Sequence, residues 1–378
     1  MRIVIFCHSL VSDWNHGNAH FLRGVCSELT ARGHAVAVYE PRDAWSVEHL
    51  IADAGDAALD GFARAYPHLS STRYDPATLD LDVALDGAEL VIVHEWSDHS
   101  LVKRVGEHRA RSARPYVLLF HDTHHRAVTA PDEMAGYDLS GYDGVLAFGE
   151  VLREVYLSRG WARRAFTWHE AADVRVFHPL PDTSPDADLV WIGNWGDGER
   201  TAELHEYLLD PVRELRLRAR IHGVRYPKAA LEALAGAGVE YRGYVPNHRA
   251  PEIFAAHRVT VHVPRGPYVR ALPGIPTIRV FEALACGIPL VTSPWDDAER
   301  LFTAGEDFLV ARSGDDMRAH LGRLLADPDL RTAFSRHGLE TIRARHTCAH
   351  RVDELLGVHA RIAGAAPGAP REEAAIHA

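Results

Sequence analysis

The sequence predicts an α/β protein made of two consecutive doubly wound parallel-sheet domains that face a central cleft. Three observations carry this. Short β-branched runs recur along the chain, with helix-period stretches between them. The series is interrupted by a Pro/Asp-rich stretch at residues 178–188 and then begins again. The length, 378 residues, suits two domains of ordinary size.

Ile3 to Cys7 is the first buried strand. A polar loop containing Gly17 follows, then a helical stretch from about Ala19 to Arg32, with Gly33 where a C-terminal capping glycine belongs. Ala35–Tyr39, Leu90–Val93, Tyr116–Phe120 and Gly144–Phe148 repeat the apolar pattern. Strands alternating with helices imply βαβ units and a parallel sheet. After residues 178–188 the second series runs through Leu189–Ile192, Arg218–His222, Val239–Arg242, Val259–Val263 and Pro289–Thr292. The expected organisation is therefore a first domain at 1–177, a linker at 178–188, a second domain at 189–345, a C-terminal helix at 346–362 that packs back across the domains, and a disordered Ala/Gly/Pro-rich tail at 363–378.

Composition narrows the partners. Hydrophobic residues make up 47% and charged residues 25%, so a large core needs no disulfide or metal staple. The formal charge is −11, from 52 acidic and 41 basic residues, which argues against nucleic acid as the main partner. Cys7, Cys26, Cys286 and Cys348 are far apart in sequence, so no CxxC pair or zinc ribbon exists, and a reduced cytoplasmic setting is expected. The N-terminal apolar run is too short for a signal peptide, and no apolar stretch approaches membrane-spanning length.

The sharpest segment runs from Pro276 to Thr292. Pro276 and Thr277 suit a helix start, and Gly287 a stop. Open N–H groups near Thr277 and Ile278 would attract an anion such as a diphosphate. Glu282, about one and a half turns in, could accept hydrogen bonds from a sugar diol; periodicity alone favours an ordinary buried helix with Glu282 as a solvated or paired charge. The string Phe281-Glu282-Ala283-Leu284-Ala285-Cys286-Gly287-Ile288-Pro289-Leu290-Val291 closely resembles the signature helix of GT-B glycosyltransferases, enzymes with two Rossmann-like domains, and more narrowly the spore-maturation-type branch.

That resemblance implies transfer of a sugar from a nucleotide-diphosphate sugar to an acceptor. It places Glu282 on the ribose, and the helix start at Thr277 and Ile278 on the diphosphate. Gly243 to His248 resembles the family's Gly-Tyr-Val-Pro element, so Tyr244 and Val245 would meet the nucleobase edge. Val190 to Trp195, with Gly193 and Asn194, resembles the loop opening the nucleotide domain, and Trp168 to Pro179 the junction between domains. One departure stands out: many retaining members carry a second Glu eight residues before the first, where this chain has Gly274, so retention or inversion stays open. Enzymes of this fold typically work without a metal, so Arg or Lys must balance the leaving diphosphate. Arg200, Arg225, Lys228, Arg265, Arg270 and Arg279 are candidates, with Arg200 and Arg270 preferred for their loops.

The first domain supplies the acceptor side. Phe120 to Arg126 directly follows a buried strand and resembles a loop that often carries a His facing the donor sugar. His121 is the expected catalytic residue, with Asp122 as neighbour or substitute. His94 to His99 ends the preceding strand in the same way. Trp14, His16 and Gly17 on the first loop, with His94 and Trp96, would bind acceptor or phosphate. A rival reading takes His121, Asp122, His124 and His125 as metal ligands, but no clear ligand spacing supports it, and neither metal nor other cofactor is expected. Two alternatives to transfer are an epimerase or hydrolase of the same fold and a non-catalytic two-domain sugar receptor.

Overall fold

The computed structural model describes residues 1–364 apart from Asp182 and Asp197. Residues 365–378 of the expected tail lie outside the described residues. Two all-parallel sheets organise the chain. The first has seven strands: β1 (Arg2–Phe6), β2 (Ala35–Pro41), β3 (Ser71–Tyr74), β4 (Leu90–His94), β5 (Val117–Asp122), β6 (Gly144–Ala147) and β7 (Ala165–Thr167), in the order β3-β2-β1-β4-β5-β6-β7. The second has six: β8 (Ala187–Ile192), β9 (Ala219–His222), β10 (Glu240–Tyr241), β11 (His257–His262), β12 (Leu290–Thr292) and β13 (Leu309–Val310), in the order β10-β9-β8-β11-β12-β13.

The central strands form because they are apolar on both faces. Ile3, Val4, Ile5 and Phe6 are all buried, and they pair in register with Val36 to Tyr39 on one side and Leu90 to Val93 on the other. Helices cover both sides, which is why these strands read as continuous hydrophobic runs. The strands that sequence reading missed are β3, β7 and β13. All three are short, lie at sheet edges and are only partly buried. In each sheet the order reverses beside the first strand, between β1 and β4 and between β8 and β11. Ligands in such sheets bind beyond the carboxyl ends of the strands at that reversal.

Two elements lock the lobes together. The opening helix (Ala19–Ala31) is buried along nearly its whole length, and the terminal helix (Cys348–Ala363) lies against it. The segment between the sheets pairs with the entry to the terminal helix: Ala172 N–H donates to His346 O at 3.0 Å, Cys348 N–H to Ala172 O at 3.0 Å, and Trp168 Nε1 to Arg351 O at 2.8 Å. One apolar core consequently runs from Phe21 and Trp168 to Phe281 and Val352. Gly24 permits the helix crossing: a Cβ there would stand 2.8 Å from Asp173 Cβ and closer still to Cys348 Sγ. Gly24→Ala should therefore force the helices apart, cost about 1–3 kcal/mol, and lower the melting temperature by several degrees in a thermal scan. No helix among the described residues is long and apolar enough to cross a membrane.

Candidate active site

The carboxyl edges of the two sheets meet at a cavity of about 920 Å³. Loops after β1, β4 and β5 form one wall, and loops after β8, β9 and β11, with the start of the signature helix (Ile278–Ala285), form the other.

The second wall is cationic. Arg200, Arg225, Arg265 and Arg279 all line it. Thr277 begins the signature helix in extended conformation but does not cap it; its hydroxyl pairs instead with His262 Nε2 at 3.0 Å. His262 Nδ1 in turn meets Thr292 Oγ1 at 3.0 Å, and burial drives this imidazole down to about 3, so it stays neutral. The helix start, not capped by Thr277, thus opens into the cavity beside Arg279. Glu170 lines the cavity at the same place. Its carboxyl accepts from Asn18 Nδ2 at 3.2 Å, and burial pushes it up to about 8 against the pull of the Asn18 and Ile278 donors.

Arg200 is more tightly tied than its sequence position suggests. Its Nη1 donates to Val263 O at 2.6 Å and its Nη2 to Asn194 O at 2.5 Å, while the guanidinium lies 5.1 Å over the Trp191 ring. Burial, with Arg265 nearby, brings it down to about 10. Arg265 pairs with Glu199 at 2.5 Å. Gly193, Asn194, Tyr244 and Val245 also line the cavity. Gly193 packs so closely on Gly223 that a Cβ on the latter would collide with the Gly193 carbonyl. Asn194 bonds Asn15 across the cleft and accepts from Val224 N–H at 2.9 Å. Tyr244 donates to Asp13 Oδ1 at 2.5 Å, and Asp13 Oδ2 is held by Arg23 at 2.6 Å and Asn247 N–H at 3.2 Å. Asp13 therefore clasps the two lobes.

The first wall is aromatic and polar. Trp14, His16, Gly17, Trp96 and His124 reach the cavity, with Trp45 and His49 beside them. Gly17 lies directly against the signature helix: a Cβ there would sit 3.3 Å from Ile278 Cγ2.

Residues 200–357 match the model of the glycosyl transferase-like family. The chain has the GT-B fold. Solved structures share the whole two-lobed fold. A sucrose-phosphate synthase from Thermosynechococcus elongatus superposes with a TM-score of 0.66 at 16% identity, over 97% of this chain and 100% of the other. Anabaena HepE in complex with UDP and glucose gives 0.68 at 11% identity, over 96% and 100%. An alpha-glucosyltransferase in complex with UDP-glucose and DNA gives 0.66 at 12% identity, over 95% and 99%. A search of curated proteins returns no significant match.

Several expected site residues stand elsewhere. Glu282 does not face the cavity. Its fully buried carboxylate accepts from His20 Nδ1 at 2.9 Å and Asn247 Nδ2 at 2.7 Å and pairs with Arg279. Burial alone would raise it, but Arg279, His20 and Asn247 hold it below the ordinary glutamate value. Here it joins the lobes and aims Arg279, the paired-charge role that periodicity favours. Arg270 ends a five-residue helix, Gly266–Arg270, and is exposed outside the cavity, while Lys228 is 91% exposed beside Glu232. Arg265, five residues before Arg270, is the one that turns inward.

His121 and Asp122 do not reach the cavity either. Both belong to β5 itself rather than to the loop beyond it. His121 is buried among Phe21, His94 and Trp168, with neither ring nitrogen partnered, and burial drives it down to about 3. Asp122 accepts from Tyr156 at 2.7 Å and from His124 N–H at 3.0 Å, and burial raises it to about 6. It positions His124 from behind. His94 is likewise buried, with Nε2 on Thr123 Oγ1 at 3.2 Å. Among the described residues, no group of three or more His, Cys, Asp or Glu could hold a metal ion. His121→Phe should leave any donor turnover within about threefold of the parent, because it exchanges two unpartnered buried nitrogens for carbon.

Sequence reasoning passed over Asp13, His20, Glu170 and Asn247 as separate site residues. Each gains its role from a partner far away in sequence, such as His20 from Glu282 and Asp13 from Tyr244.

Proposed function

We propose that this protein is a glycosyltransferase that moves a sugar from a nucleoside-diphosphate sugar to an acceptor held on the first wall, without a metal ion. One observation supports this above all: among the described residues, every Arg or Lys lining the cavity lies on the second wall, around a helix start that opens into it. Arg265, Arg279 and the Ile278 amide would take the diphosphate and stabilise the charge that grows on it as the glycosidic bond breaks. Tyr244 and Val245 would border the base, and the chemistry of HepE and the alpha-glucosyltransferase makes a UDP-sugar the first donor to try. The signature string supports placement in the spore-maturation-type branch. All four cysteines are free and buried, in keeping with a cytoplasmic setting. Although one neighbour was crystallised with DNA, the charge of −11 argues against a nucleic-acid acceptor here.

Glu170 is the proton-handling group of this reading. It lines the cavity at the helix start, and its ionisation near 8 lies close to working pH. Glu170→Gln should lower kcat by about 10²–10⁴-fold and abolish the pH limb near 8, while nucleoside diphosphate binding persists. Retention of full turnover across pH 6–9 would remove Glu170 from the mechanism.

A further inference from the structure

The acceptor wall carries its own chemical signature. Trp45 and Trp96, from the segments following β2 and β4, are half-buried with ring centroids 6.4 Å apart and planes at 75°, so two indoles make a right-angled corner in the cavity. The corner is rigid. Trp96 is backed by the Arg126 guanidinium at 4.1 Å, which is itself held by the Glu95 carbonyl at 2.5 Å and by Glu133. His8 packs against Trp45 at 4.5 Å.

Imidazoles surround this corner. His16, His124 and His125 line the cavity, and each has one buried ring nitrogen without a partner: Nε2, Nδ1 and Nε2 respectively. Imidazoles in a cavity wall suit a ligand with hydrogen-bonding groups. Burial keeps His124 at about 2 and His125 at about 4, so both are neutral at working pH. A neutral imidazole presents a donor on one nitrogen and an acceptor on the other. Among the described residues, no Arg or Lys lines this wall.

Apolar ring faces combined with uncharged two-way hydrogen-bonding edges fit one ligand class. A planar aromatic acceptor would leave the imidazoles unpaired, and a phosphorylated one would find no cation. A pyranose lays its C–H face on an indole and offers hydroxyls that both donate and accept. We propose that the Trp45–Trp96 corner, with His16, His124 and His125, is a binding subsite for a neutral hexopyranose of the acceptor. The assignment rests on the transferase reading and specifies its acceptor.

Saturation-transfer NMR on the full chain tests it, with UDP, GDP or ADP added. The ligands are neutral hexoses, N-acetylhexosamines and their disaccharides, set against glycerol 3-phosphate, a hexuronic acid and p-nitrophenol. A neutral saccharide should bind saturably. Trp45→Ala and Trp96→Ala should each weaken it at least tenfold, Trp→Phe at either position should restore most of the affinity, and nucleotide affinity should stay within twofold, which also certifies the fold. The subsite is overturned if no neutral saccharide binds, if only the anions or the phenol bind, or if both alanine variants keep the parent's saccharide affinity. Saccharide binding that depends on the two indoles, in a chain that takes no nucleoside diphosphate, would uphold the subsite and overturn the transferase reading instead.

Discussion

Lowering the pH from 7 to about 4.5 is expected to unfold the protein in one cooperative step, because it buries an unusual number of neutral imidazoles. Burial depresses His8, His125 and His222 to about 4, His121, His262 and His346 to about 3, and His124 to about 2. In the unfolded chain each would titrate near the ordinary value of about 6.5. A folded value below the unfolded one means that the unfolded state binds more protons in between. The stabilisation is therefore complete above pH 6.5 and drains away as pH falls toward the folded values. Each unit is worth about 1.4 kcal/mol, so by pH 4.5 these groups together exceed the 5–15 kcal/mol margin typical of a folded domain.

Three buried carboxyls oppose the trend. Glu170 at about 8, Asp122 at about 6 and Glu95 are raised by burial, so they add stability as pH falls through their folded values. Seven depressed imidazoles outweigh three raised carboxyls. Circular dichroism against pH should show the transition between pH 6 and 4.5, and His121→Phe should move its midpoint downward. Native signal kept to pH 3.5 would mean that these imidazoles gain protons without unfolding.

The second large effect concerns the cationic wall. Arg279→Ala should weaken nucleoside diphosphate binding by about 10–150-fold, the loss of one charge-assisted hydrogen bond worth about 1.5–3 kcal/mol. Turnover should fall further, since the charge on the leaving group is greatest in the transition state. Removing Arg279 also leaves Glu282 with only His20 and Asn247, so the variant should be less stable. Arg265→Ala separates the two effects, because Arg265 pairs with Glu199 rather than with Glu282. Arg270→Ala, on an exposed side chain outside the cavity, should leave affinity within twofold. Calorimetric titration with UDP reads all three.

The two-sheet fold was legible because its central strands are buried on both faces and therefore apolar without interruption, as in Ile3 to Phe6 and Leu189 to Ile192. The edge strands were not, because half-exposed Ser71–Tyr74 carries polar residues that any loop could carry. The start of the signature helix was legible in Pro276-Thr277, and its end in Gly287, whose φ of +68° a side chain would strain. Side-chain direction was harder to read. His121 and His124 stand three residues apart, yet only the latter reaches the cavity, since the strand continues two residues farther than Phe120, where the apolar run stops. Glu282 looks the same on paper whether it faces a ribose or a histidine, and the deciding partner, His20, lies 262 residues earlier. Glu170 had no signal of its own, because its environment is assembled from Asn18 and the helix start.

The most direct test is a crystal structure with a bound nucleoside diphosphate, UDP first. The phosphates should lie within hydrogen-bond reach of the Ile278 amide, Arg265 and Arg279, with the base beside Tyr244 and Val245 and the Trp45–Trp96 corner left clear. Phosphates seated on the opposite wall, or anywhere away from the helix start, would contradict the account.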